Sequence, residues 1–485
     1  MHDEARFVTL ILCALLSSSM VTGCSSNSQQ GGSGGVGTQN NPAPTLTSIS
    51  PSSINAGSGP VTITLNGSNF VSTSLAQWNG TKLFTTYQNA TTLAATINAL
   101  HLASAGSASI SVMNQAPGGG TSTAVAFTVK SAPASQITII PVNANSLAWD
   151  RMNHVIYLSL PSADGSNGNS VVALNPETGA LGTPVFVGTE PDHLSVSANS
   201  QYLYVGLDGA SSVQRMTLPD LATDITIPLG SSSFSGSFYA MDLQAAPNAD
   251  GTVAVVRYDP YDFPEEEGGL IIYDNGTARP NSLCGWNAEP EGCTGPIGNL
   301  YDSTQWNSDG TEMFMANNED TRFDFYAVPV NSSGFGTVTD YPGLLPGTAG
   351  AFTFAPLIHY DPTTGYIYSD TGAVVNPSTG TLVGNLNASG LVTPVGSIGI
   401  VFVLSLVPSS TTNLEYTLEA FDINKLTPIA SLAIFPSELP THMIQWGTNG
   451  LAFTTASVSG ITFTPGPVYV INGSFATNAG ALDEK

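Results

Sequence analysis

Charge is what this sequence has least of. Only 9% of its 485 residues are Asp, Glu, Lys or Arg, against about 25% in an ordinary soluble domain. The few charges are also one-sided, with 10 basic residues against 35 acidic ones and a formal net charge of −25. Such a surface repels phosphate backbones, which argues against a nucleic-acid partner. Cysteine numbers only 4. No segment beyond the N-terminus reaches the run of about 18 apolar residues that a membrane-crossing helix needs. Catalytic signatures are missing as well: no HExxH, CxxCH, phosphate loop, dinucleotide fingerprint or EF-hand loop is present. The string GGSGG from Gly31 matches G-x-S-x-G, but it lies between no strand and no helix, so it is no nucleophile elbow.

What is present is turn-forming and apolar. Gly 50, Pro 32 and 41% apolar residues suit a β-rich chain with many tight turns and an ample core. With so little charge, the polar surface must be Ser, Thr, Asn and Gly. The charge is also unevenly placed. Residues 45–130 hold Lys82 and Lys130 and no acid, whereas from Ser131 onward seven basic residues face thirty-three acidic ones.

The N-terminus reads as a targeting segment. Phe7–Leu16 is an apolar run of ten, too short to span a bilayer and of the length of a signal h-region, behind a single basic residue, Arg6. Val21-Thr22-Gly23-Cys24 resembles a bacterial lipobox. That resemblance implies cleavage after residue 23, diacylglycerol on Cys24 and, with Ser25 following, an outer-membrane or cell-surface location. An ordinary secretory signal with a chance cysteine is the alternative. Acyl chains anchor at about 0.8 kcal/mol per buried CH₂. Residues 24–43 form a Gly/Ser/Gln tether. Export sets the redox context for Cys284 and Cys293, nine apart in CGWNAEPEGC, which are expected to form a disulfide.

Residues 44–130 predict a β-sandwich. Val61-Thr62-Ile63-Thr64-Leu65, Ser109–Val112 and Ala124–Val129 alternate apolar and polar residues, with Gly/Asn turns between them. PTLTSISPSS…AGSGPVTITLNGSNF resembles the opening of IPT/TIG domains, which implies an immunoglobulin-like fold. Pro51, Gly57, Gly67 and Phe70 stand at the recurring positions, with Phe70 expected to plug the core.

From Gln136 to Phe475 seven related segments follow, each ending in an extended run that feeds an Asn/Asp/Gly turn. The runs are VVALNPETG, VQRMTLPDL, LIIYDNGT, FYAVPVNSSG, AVVNPSTG, LEAFDINKL and VYVINGSF. Their spacing of roughly 42 to 57 residues is that of a propeller array. Four short strands cannot bury their own faces, so such copies must stack around an axis. SANSQYLYVGLDGASSVQRMTLPDL resembles the YVTN-type propellers of bacterial surface proteins. The expected fold class is therefore all-β, an immunoglobulin-like sandwich followed by a seven-bladed β-propeller at 136–475, with a tail at 476–485. Six or eight blades stay open, because the sixth repeat is irregular. The last repeat stops after VYVING, and the orphan run Ile137–Val142 is expected to supply its outer strand and close the ring.

Aligning the repeats on their second strands brings Ser146, His193, Asp242, Ser303, Leu357 and His442 to equivalent starts of inner strands, with Asp192, Asp302 and His359 one or two residues away. Such a ring would converge on one mouth of the central channel. His193, Asp242, Asp302, His359 and His442 are the ligand-binding candidates, and the two imidazoles with Asp242 are expected to border the main pocket. Histidines with carboxylates can hold a divalent ion or move protons. The plainer reading is that polar strand starts hydrogen-bond backbone around a water-filled channel. A second acidic cluster, Asp259, Asp262, Glu265 and Glu266, has the hard oxygens of a Ca²⁺ site, and is equally read as a solvated charge run. No tryptophan docking motif of quinoprotein propellers is present, and no cofactor other than a divalent ion is expected.

Two functions remain. One is a monomeric, lipid-anchored binding or scaffold module that holds a glycan, protein or matrix ligand without catalysis. The other is a metal-dependent hydrolase or lyase of the propeller lactonase kind. Those families carry Glu, Asn and Asp ligands on inner strands, whereas the positions here give His and Asp with no clear Glu. Propellers host both roles.

Overall fold

The computed structural model describes residues 40–475, apart from 57–60, 103–104, 131–135, 232–235, 260–265, 286–292, 295–302, 317–323, 346–356, 408–414, 449, 460–461 and 474. The proposed signal and Cys24 lie outside the described residues. Among the described residues no helix is long and apolar enough to cross a membrane.

The first domain is a two-sheet sandwich. Strands Thr45–Ser50, Val61–Ser68, Thr92–Ile97 and Phe84–Asn89 form one sheet in that order. The other runs Ser53–Asn55, Val125–Lys130, Gly106–Asn114, Leu75–Trp78 and Thr81–Lys82. Alternation buries Ile63, Leu65, Leu93, Ile110, Val112 and Phe127 between the sheets. Phe70 fills this core at 2% exposure. Gly67 is needed beside it, since a Cβ there would lie 2.0 Å from the Thr45 carbonyl oxygen and 2.6 Å from the Phe70 ring.

The second domain is a ring of seven blades, four of them four-stranded and three carrying a fifth short strand among the described residues. The inner strands are Ser146–Asp150, Pro191–Val196, Tyr239–Ala245, Ser303–Trp306, Ile358–Asp361, Leu391–Val395 and Leu439–Trp446. Each touches the next, and the last returns to the first. Seven apolar clusters fill the interfaces between neighbouring blades, including one that joins Val468 and Trp446 of blade seven to Leu147 and Ile156 of blade one. Those interfaces are where the alternating faces of the blades find apolar partners.

Closure is as expected from the orphan run. Gln136–Ile140 pairs antiparallel with Val468–Asn472 and becomes the outer strand of blade seven. Blade six, irregular in sequence, is complete, with Leu391–Val395, Ile400–Leu406, Tyr416–Asp422 and Thr427–Ile434 in order. Blade three ends in a two-residue outer strand, Thr277–Ala278, before the cysteine-bearing insertion. Cys284 and Cys293 are bonded there, with Cα atoms 5.1 Å apart. Leu283 exchanges backbone hydrogen bonds with Leu270 at 3.0 and 3.2 Å, which holds the insertion against blade three.

Candidate functional site

Inner and second strands run antiparallel, so register tells which inner-strand residues are equivalent. Leu147 lies opposite Leu158, Leu194 opposite Val205, Leu243 opposite Val255, Thr304 opposite Met315, Ile358 opposite Ser369, Val392 opposite Val403 and Met443 opposite Phe453. The residues just before them are Ser146, His193, Asp242, Ser303, Leu357, Leu391 and His442. The polar ring thus has the alignment expected from sequence, with Leu391 as blade six's member. In blades two and seven a β-bulge interrupts the ladder at this point, between Pro191 and Leu194 and between Pro440 and Met443. Bulges re-aim side chains, and these two carry the histidines.

The ring then divides by what each side chain does. Asp242 Oδ2 accepts the Thr304 backbone N–H at 2.9 Å and its hydroxyl at 2.7 Å, while Oδ1 accepts from Gln244 at 3.0 Å. Ser303 Oγ accepts the Ile358 N–H at 3.1 Å, and Ser195 Oγ accepts the Ala245 N–H at 3.0 Å. These groups satisfy inner-strand donors of the following blade and act as staples. For Asp242 and Ser303 the plainer reading of the ring therefore holds.

The histidines differ. His193 and His442, from blades two and seven, meet edge to face with ring centroids 6.0 Å apart. Asp192 Oδ2 lies 3.8 Å from His193 Nε2. His442 Nδ1 is occluded and has no hydrogen-bond partner among the described residues. Burial, then the neighbouring His193 imidazole, pushes the His442 pKa down to about 4, with His359 adding to the fall and Asp192 opposing it. His442 is therefore a neutral imidazole near pH 7. His359 Nε2–H donates to Asp370 Oδ1 at 2.9 Å, and the same oxygen accepts the Val392 N–H at 2.9 Å, so this pair is tied into blade six.

A residue that sequence reasoning passed over stands behind the mouth. Asp208 follows the second strand of blade two, and its Oδ1 is occluded without a partner among the described residues. Burial, then the negative charges of Asp192 and Glu190, push its pKa up to about 8. It is a carboxylic acid at neutral pH. In sequence, LDGASS reads only as a turn, and nothing there signals a neighbouring carboxylate.

Other expectations fare differently. Asp302, Asp262 and Glu265 lie outside the described residues. Asp259 is fully buried at 0% exposure, with Glu266 opposite it in the ladder. Among the described residues no group of three or more His, Cys, Asp or Glu side chains is arranged to hold a metal ion. A cavity of about 550 Å³ lies between blades five and six, lined by Tyr366, Asn385 and Asn424 among others, and neither His193 nor His442 is among its lining residues. The rings of those two histidines stand close together across the mouth.

Fold and site together define a β-sandwich followed by a propeller with an imidazole-lined channel mouth. Residues 44–129 match the IPT/TIG domain family, so the sandwich belongs to it. Solved structures similar to this chain include U3-55K, at 10% identity and TM-score 0.46, covering 69% of this chain and 98% of that one. The Myceliophteria thermophila Cps50 (Swd1) propeller domain is similar at 11% identity and TM-score 0.44, covering 70% and 99%. An auxiliary nutrient-binding protein from Bacteroides thetaiotaomicron covers 89% and 98% at 11% identity and TM-score 0.38. Likeness at this level carries no argument about function. No curated protein sequence matches the chain.

Proposed function

We propose that the mature chain is a lipid-anchored envelope protein whose propeller binds a small polar ligand, without catalysis, at the channel mouth between His193 and His442. The observation that carries this is their meeting at 6.0 Å with His442 Nδ1 occluded and unpaired. A buried polar atom without a partner costs about 1–3 kcal/mol, and a ligand offering a donor or acceptor would recover it. Neutral His442 and protonated Asp208 offer both donors and acceptors at one mouth. The hydrolase reading needs converging metal ligands, and the described residues assemble no such set.

The anchor half rests on Val21-Thr22-Gly23-Cys24, and the acidic composition supports a partner other than nucleic acid. The test is a thermal-shift panel of amino acids, dicarboxylates and short peptides on the chain from residue 25, run beside fractionation of full-length Cys24→Ala. Ligand-induced shifts should vanish in His193→Ala/His442→Ala, and Cys24→Ala should leave the membrane fraction. Shifts that survive the double substitution, or a variant that fractionates like the parent, would overturn the respective half.

A further inference from the structure

The cleft between blades five and six lies beside Gly384, at a position where blade two carries an isoleucine. In blades two, five and six the outer strand carries a bulge opposite the third strand, at Asp224, Val383 and Ile429. The residue after each bulge is Ile225, Gly384 and Ala430 respectively, paired with Arg215, Val374 and Ala420. In blade two, Ile225 reaches blade three and comes within 3.2 Å of where a Cβ on Gly276 would sit. That side chain fills the gap between the blades. At Gly384 the equivalent space is entered by the Leu426 side chain of blade six, whose methyl lies 2.6 Å from where a Cβ would sit, and beside it is a cavity of about 550 Å³, within the roughly 300–1,000 Å³ range of small-molecule sites. Thr364 and the Asn424–Leu426 turn follow an inner and a third strand, so the cleft reaches the face opposite the histidine mouth.

We propose that this cleft is a binding site for an uncharged sugar, of about one or two residues. Its chemistry has three parts. The floor includes buried Val374 and Ile423, and half-buried Tyr366 adds an aromatic ring. Its lining includes Asn385, Asn387 and Asn424, of which Asn385 Oδ1 already accepts the Asn387 N–H at 2.6 Å while its amide N–H groups have no partner within the turn. No carboxylate lines it, although acids outnumber bases thirty-three to seven from Ser131 onward. Its one cation, Lys425, is largely exposed and pairs with Asp422 Oδ2 at 3.1 Å, so no buried charge in the cleft calls for a charged ligand. A sugar ring offers an apolar C–H face to a tyrosine and aliphatic floor, and an edge of hydroxyls that donate and accept. The side-chain amide also does both. A cationic ligand would find no partner among the lining residues, and an anion would meet a lysine already neutralised.

This site is independent of the channel-mouth reading. The test is saturation-transfer NMR on the chain from residue 25 with cellobiose, chitobiose, lactose and xylobiose. At least one disaccharide should receive saturation, and Gly384→Ile should weaken its binding at least tenfold by filling the cleft as Ile225 fills the equivalent gap in blade two. Gly384 is outside the left-handed region, and the closest atom to a new Cβ is a movable Leu426 methyl at 2.6 Å, so the variant should fold. Tyr366→Ala, which adds no bulk, should weaken the same sugar, while His193→Ala/His442→Ala should leave it unchanged. Saturation of none of the four, or binding that survives both cleft substitutions or falls with the histidine pair, would overturn the proposal.

Discussion

At the scale of single residues, two groups near the channel mouth, Asp208 and His442, are held away from their ordinary pKa values. Asp208 is the clearest, because its folded pKa of about 8 lies above the ordinary carboxylate value of 3.8. The folded state then binds a proton that the unfolded state gives up once pH passes the unfolded value. Stability from this group is complete below about pH 4 and is lost as pH rises toward 8. Asp208→Asn keeps the size and a donor while removing the ionisation. The variant should therefore melt higher than the parent at pH 7.5, with the advantage shrinking toward pH 4. An unchanged difference across that interval, measured by calorimetry, would show that the carboxyl is not held protonated. His442 carries the opposite linkage. Its folded pKa is depressed, so its cost appears as pH falls from about 6.5 toward 4, a different window.

At the scale of elements, a blade's inner strand is held by groups from the blade before it. Asp242 serves two donors on Thr304, itself buried at 1% exposure. Asp242→Ala would leave the Thr304 N–H and hydroxyl without their acceptor and should cost about 1–3 kcal/mol. Asp242→Asn, which keeps one acceptor oxygen, should recover part of that. A cost under about 0.5 kcal/mol in urea unfolding would show that water replaces the carboxylate. Much of this level was legible in the sequence. Apolar-polar runs ending in Asn/Asp/Gly gave the third strands, and the recurring second strands with Tyr157, Tyr204, Phe314 and Tyr368 fixed the register that aligned His193 with His442. The staples were not legible. Whether Asp242 faces a ligand or Thr304, sixty-two residues away, depends on which backbone donors the next blade leaves open, and no local pattern records that. The cleft at Gly384 was hidden for a related reason, since a glycine after a bulge reads as turn chemistry until the neighbouring blade is in place.

At the scale of the whole molecule, two features work together: an acidic surface and a ring whose last blade is completed by the N-terminal strand. The described cations beyond residue 131 serve mainly as internal ties. Arg215 binds Asp224 at 2.6 Å beneath the Tyr202 ring, Arg257 donates to the Leu229 carbonyl at 2.8 Å over the Phe238 ring, and Arg279 meets Asp274 at 2.8 Å. The surface left outside is strongly acidic, and like charge of that kind opposes self-association. Charge alone does not protect an open sheet, however. Val468–Asn472 is nearly all apolar and buried, and Gln136–Ile140 covers its edge through five registered pairs. A chain beginning at residue 143 would bare that edge and lose Ile140 and Val142 from the cluster joining blades seven and one. It should elute from size-exclusion columns as oligomers and unfold at lower temperature, whereas a chain beginning at residue 131 should stay monomeric. Adding a synthetic peptide of residues 134–142 to the shorter chain should return part of the lost stability, because the groove it enters is already formed by blade seven. If the shorter chain runs as a monomer with the midpoint of the longer one, the N-terminal strand is not what closes the ring.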